Sequence, residues 1–95
     1  MANNFTLTDA RAMHSKYPST FEIPSSVKIK KLKKGDLVKL HFSQPKLTTE
    51  RMWVTITSRK GNNFVGKLNN DPFILDMKYN QVIKFNARHI ASIWD

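Results

Sequence analysis

Between residues 37 and 68 the chain alternates apolar and polar positions in three separate runs, and each run is closed by a turn signal. Val38, Leu40 and Phe42 share one parity, as do Met52, Val54 and Ile56, and then Phe64, Gly66 and Leu68. A period of two belongs to a strand, whose successive side chains point to opposite faces. The runs therefore predict half-buried strands over 37–42, 51–57 and 63–68. Gly35-Asp36 turns the chain into the first, and a polar loop from Ser43 to Thr49, containing Pro45, leads to the second. Lys60-Gly61-Asn62 makes a tight hairpin turn into the third, and Asn69-Asn70-Asp71-Pro72 reverses the chain after it.

The flanking signals are shorter. Gln81 to Phe85 reads as a fourth strand with Ile83 and Phe85 inward, Asn86 to His89 as one helical turn, and Ile90 to Trp94 as a last strand. Phe73 to Tyr79 has no regular pattern. Near the N-terminus, Leu7, Ala10, Met13 and Tyr17 recur at helical spacing, with Thr6 placed to cap, Asp9 as its partner and Pro18 as a stop, so a helix is predicted over 7–16. Residues 27–34 are ambiguous. Val27 and Ile29 alternate like a strand, whereas Ile29 and Leu32 sit at helical spacing behind Ser25 and Ser26, either of which could cap a turn.

The expected architecture is mainly β (α+β). It is one domain, either a five-strand SH3-like small barrel or a strongly bent antiparallel sheet, with a short N-terminal helix and cap over 1–19 and the barrel core over 20–95. Closing such a sheet removes the edges that invite aggregation.

Four stretches, Lys34-Gly35-Asp36-Leu37-Val38-Lys39-Leu40, Glu50-Arg51-Met52-Trp53-Val54, Gly66-Lys67-Leu68-Asn69-Asn70-Asp71-Pro72, and Ile83-Lys84-Phe85 with His89-Ile90, resemble bacterial YegJ-like small domains of unknown function. The resemblance spans about residues 20–94, and the Arg51 to Val54 strand and the Asn70-Asp71-Pro72 turn are its most specific parts. It implies a small bacterial or phage-encoded β domain, sometimes appended to larger proteins, and no established activity. The lysine-rich segment 28–34 departs from the less basic sequence expected there.

The chain has no cysteine, which excludes a disulfide scaffold and a thiolate zinc site and fits a reducing compartment. Residues 1–6 have neither the basic nor the apolar region of a signal peptide. No apolar run approaches the roughly 18 residues of a membrane span. The expected location is cytoplasmic.

Sixteen Lys and Arg against seven Asp and Glu give a net charge of +9, which bears on partners rather than on fold. The expected partner is a polyanion, most simply nucleic-acid backbone, or else an acidic protein; homo-oligomerisation through a sheet face or edge stays open. Lys28, Lys30, Lys31, Lys33 and Lys34, joined by Lys39 and Lys46, form the candidate contact surface. Lysine is a point charge without a bidentate fork, so it suits backbone contact better than base reading. The plain alternative is a solvated charged face.

Trp53 falls on the outer face of its strand beside Lys39 and His41, where it could stack a base or be covered by the N-terminal helix or by 73–79. Trp94 is expected to plug the core. Arg51, Asn69, Asp71 and His89 are candidates for a polar pocket, although Asn70 and Asp71 read more simply as bonding the backbone of a turn fixed by Pro72.

No catalytic, cofactor-binding or metal-binding set emerges. His14, His41 and His89 lack ligand spacing, the seven acids are scattered, and no phosphate loop or nucleophile elbow is present. The leading expectation is a non-catalytic basic binding module. The alternative is a small protein-binding inhibitor or adaptor, of the phage anti-defence or immunity type, acting on an acidic partner surface.

Overall fold

The computed structural model describes residues 5–94; residues 1–4, part of the 1–6 segment considered above as a signal sequence, and Asp95, one of the seven acids, lie outside them. All three alternating runs are strands, now with bounds: β2 is Leu37–Ser43, β3 is Glu50–Lys60 and β4 is Asn63–Leu68. β5 spans Val82–Asn86, and a 3-10 turn at Ala87–His89 leads into β6 at Ser92–Ile93. All neighbours pair antiparallel, in the order β2, β3, β4, β5, and β6 returns to pair with β2. The result is a nearly closed five-strand antiparallel barrel with the layout of a small SH3-like barrel.

Its core is the predicted inner face. Val38, Leu40, Phe42, Met52, Val54, Ile56, Phe64, Leu68, Ile83 and Phe85 are all buried. Gly66 occupies that face where β4 crosses closest to β3. A Cβ there would lie 2.5 Å from the Val54 side chain and 2.6 Å from the Thr55 carbonyl oxygen, so no larger residue fits without moving the strands.

The predicted N-terminal helix begins late. Thr6–Leu7 form a sixth, two-residue strand, β1, on β2, and the helix α1 covers Ala10–Lys16. Asp9, rather than Thr6, caps it, its carboxylate accepting the Ala12 amide at 2.9 Å. Tertiary pairing outweighed helical spacing here because the outer edge of β2 had unpaired carbonyls to offer: Leu37, Lys39 and His41 accept from Trp94, Ala91 and Thr8. β1 and β6 thus share one edge end to end, and Phe5 packs edge-on against Phe42. Tyr17, expected on the apolar stripe, is exposed.

The ambiguous segment resolves as a short helix. α2 spans Ser26–Lys30, with the Ser25 hydroxyl accepting the Lys28 amide, and Ile29 and Leu32 are buried. Gly35 then turns the chain at φ +97°, a left-handed conformation that glycine adopts without a Cβ clash.

The position of α2 depends on a β-bulge. Ile56 pairs with Gly66 but Ser58 pairs with Val65, so Thr57 is an extra residue in β3. Such an insertion reverses the facing of every residue after it. Arg59, outward by simple alternation from Ile56, is thereby turned onto the Phe64 ring, 4.6 Å from its centroid. Its Nη1 donates to the carbonyls of Ile29, Lys30 and Leu32 at 2.8–3.2 Å, satisfying the free end of α2, while Nε donates to Gly61.

Replacing Arg59 with Ala should therefore destabilise the domain by about 2 kcal/mol, the scale of hydrogen bonds to a charged group. Amide exchange should rise first across 28–34. Unchanged protection of that segment in Arg59→Ala would refute the clamp.

Candidate nucleic-acid interface

Lys28, Lys30, Lys31, Lys33 and Lys34 are all exposed, on α2 and the turn after it, while Ile29 and Leu32 fix the backbone beneath them. The cluster is therefore mounted on the barrel. Lys39 projects from the outer face of β2, and its Nζ sits 4.8 Å from the centre of the Trp53 ring, directly across the β2–β3 pair. Lys46 does not join them. It lies beyond the far end of β2, a strand of seven residues or about 20 Å in length.

Trp53 is half-buried, and where α1 or 73–79 was expected over it, its ring is met by Lys39 and Trp94. α1 packs on the 3-10 turn, where Asp9 pairs with Arg88 at 3.6 Å. The cover comes from Trp94, whose ring meets Trp53 edge-to-face at 5.2 Å and 80°. Trp94 is consequently not a core plug: it is 62% exposed. Ile93 packs on the core and faces Val38 across the ladder, so alternation sends the next side chain outward. That parity was available in the sequence, had the last strand been phased on Ile93.

Trp94 and Ile93 form one wall of a groove of about 270 Å³; Lys28, Lys31, Leu32 and Lys33 line the rest together with Asp36. The Asp36 carboxylate is engaged by the Lys33 amide at 3.0 Å. This groove brings an open aromatic ring and several cations of the cluster to one place.

The residues expected to form a polar pocket are not brought together. Arg51 faces His41 across β2–β3 and lines a groove with Phe21, whereas His89 lines a different groove beyond the β3–β4 hairpin. Asn69 and Asp71 are exposed past the end of β4 and line neither. Asn70 does bond backbone, though not that of its own turn: its side-chain oxygen accepts the Trp53 amide.

His89 Nδ1 accepts the Asn86 amide at 2.9 Å in a capping box around the 3-10 turn. Burial, then Arg88, lower its pKa, with Asp9 opposing. Burial, then Arg51 and Lys39, do the same for His41. Among the described residues no three His, Cys, Asp or Glu side chains converge to hold a metal ion.

The hairpin-side groove, about 700 Å³, carries Lys60, Lys84 and Arg88, but its floor rings are occupied by each other. Phe64 and Phe85 are buried and stacked at 5.2 Å and 7°, with Arg59 over Phe64. It offers cations without a free aromatic face.

Two polar side chains that sequence reading passed over organise the opposite end of β3. Glu50 accepts the amides of Phe73, Ile74 and Leu75 at 2.7–3.1 Å, and Gln44 clamps the Asp76 backbone through both ends of its amide. The irregular 73–77 segment is thus pinned, with Leu75 and Met77 in the core and Phe73 93% exposed. Nothing in the local sequence pairs a carboxylate with amides 23 residues away.

Compared with known proteins, the chain matches no family model, no curated protein and no solved structure. No helix among the described residues is long and apolar enough to cross a membrane.

For Glu50, burial pushes the carboxyl pKa up, but the three amide bonds outweigh it and hold it below the ordinary glutamate range. A depressed folded pKa gives stability that is present above the unfolded value and is lost as pH falls through the folded one. Glu50→Gln should be less stable than the parent at neutral pH, and the difference should shrink as the pH drops below the ordinary glutamate range. Chemical denaturation at stepped pH checks this, and a difference independent of pH would count against it.

Proposed function

We propose that this chain is a non-catalytic binding module that engages nucleic-acid backbone through the lysine face of α2 and its following turn, acting in the cytoplasm. The observation that carries the reading is the mounting of the lysines. Five lysine side chains project from a segment that is anchored by buried Ile29 and Leu32 and whose carbonyls at Ile29, Lys30 and Leu32 are capped by Arg59, with Val27 left exposed beside them. A mounted array loses less conformational freedom on meeting a phosphate backbone than a charged tail would. Such contacts give affinity without base recognition, and counterion release makes that affinity fall with salt.

Fluorescence anisotropy on labelled nucleic acid at stepped salt tests this. The triple variant Lys31→Ala, Lys33→Ala, Lys34→Ala should bind at least about tenfold more weakly and show a shallower salt dependence. Absence of binding by the parent protein at about 50 mM salt, where phosphate contacts are strongest, would sink the proposal.

A second reading, a protein-binding adaptor or inhibitor acting on an acidic partner, is favoured by Phe73. Its ring is nearly fully exposed while its backbone amide is fixed by Glu50, and Leu47, Ile74 and Tyr79 are exposed as well. A rigidly presented aromatic is the usual anchor of a protein interface. Under this reading, nuclease-treated host extract should yield one stoichiometric acidic protein, lost with Phe73→Ser. Recovery of nuclease-sensitive material alone would discard it.

A further inference from the structure

We propose that the ligand of this interface is single-stranded nucleic acid, with one unpaired base stacked on Trp94 and the neighbouring phosphates held by Lys31 and Lys33. This rests on the backbone-binding reading and adds to it the strandedness of the ligand.

An indole in a small domain ordinarily finds a dry site. Trp94 is instead 62% exposed, and its exposure is not looseness. Its backbone amide donates to the Leu37 carbonyl at 2.9 Å, and its ring leans on Trp53. Trp53 is fixed in turn by Asn70 at its backbone and by Lys39 over its ring. The outer indole is therefore held in place before any ligand arrives, which lowers the ordering cost of stacking on it.

Lys31 and Lys33 line the groove of which Trp94 is a wall, so ring and cations are offered to one ligand at once. Aromatic stacking requires a base with an open face. In a duplex the bases lie in the stack and present only edges to the grooves, so lysines can engage either form while the ring engages only unpaired bases. Stacking on an aromatic side chain tolerates any base, so the preference is for strandedness and not for sequence.

The test compares oligo-dT and oligo-rU with a blunt DNA duplex of equal length, for the parent protein, Trp94→Ala, Trp94→Phe and the pair Lys31→Ala, Lys33→Ala, each shown to be folded by its circular dichroism melt. The parent should prefer one or both single strands over duplex. Trp94→Ala should lose about tenfold in single-strand affinity, the scale of one base–aromatic stack, with duplex affinity and salt slope unchanged. Trp94→Phe should recover most of the loss, and the lysine pair should weaken both forms.

Equal affinity for single strand and duplex, or a Trp94→Ala protein that binds single strands like the parent, would overturn this inference and leave backbone binding standing. Failure of every nucleic acid to bind at low salt would overturn both.

Discussion

Five lysines within seven residues repel one another, and Ile29 and Leu32 are their apolar attachment to the rest of the molecule. The Arg59 guanidinium supplies what those two residues cannot. It reaches from β3 to the carbonyls that end α2, so a segment of high positive charge is held down by a further cation. The arrangement is stable because the interaction is with peptide dipoles: an exposed carbonyl end attracts positive charge, and the lysine heads stay in water. Arg59 can do this because one extra residue, Thr57, rotates it onto the inner side of β3, where the Phe64 ring supports its stem and head.

β3 carries a second clamp at its other end. Glu50 opens the strand and gathers three amides of the 73–75 segment; Arg59 lies nine positions later and gathers three carbonyls of 29–32. Each is a charged side chain satisfying backbone groups of the opposite polarity, and each converts a stretch without a regular ladder into a fixed surface. The barrel between them supplies rigidity; the clamps decide what it displays.

The period-two signal carried most of the fold. Every inner-face residue predicted for β2 to β5 is buried, because a strand with one dry face has no other way to place Val38, Leu40 and Phe42. What escaped was non-local. Thr6 went to β2 because that edge had carbonyls to offer, which the helical spacing of residues 7–17 does not encode. Trp94 is a matter of phase: once Ile93 is set inward against Val38, the same alternation turns Trp94 out. The bulge at Thr57 leaves no mark in a sequence that still alternates cleanly through Ile56, so nothing in the strand pattern singles out Arg59. Of the candidate site, the lysine cluster on 28–34 and the Lys39–Trp53 pair were legible, whereas Lys46 was grouped by charge, and Arg51, Asn69, Asp71 and His89 by sequence motif, rather than by space.

The two surfaces use different atoms. The lysine groove is built from α2, the turn at Lys33 to Asp36 and the Ile93–Trp94 end of the chain. The Phe73 surface is built from the 73–77 segment and is tied to the 44–50 loop. A strand rises about 3.3 Å per residue, so the clamps that hold these surfaces stand about 30 Å apart along β3. Phosphate contact at one end leaves Phe73 open at the other. The two proposed contacts, with nucleic acid and with a protein, therefore do not compete for the same atoms, and a change at Lys31 and Lys33 or at Phe73 leaves the other surface and its clamp intact.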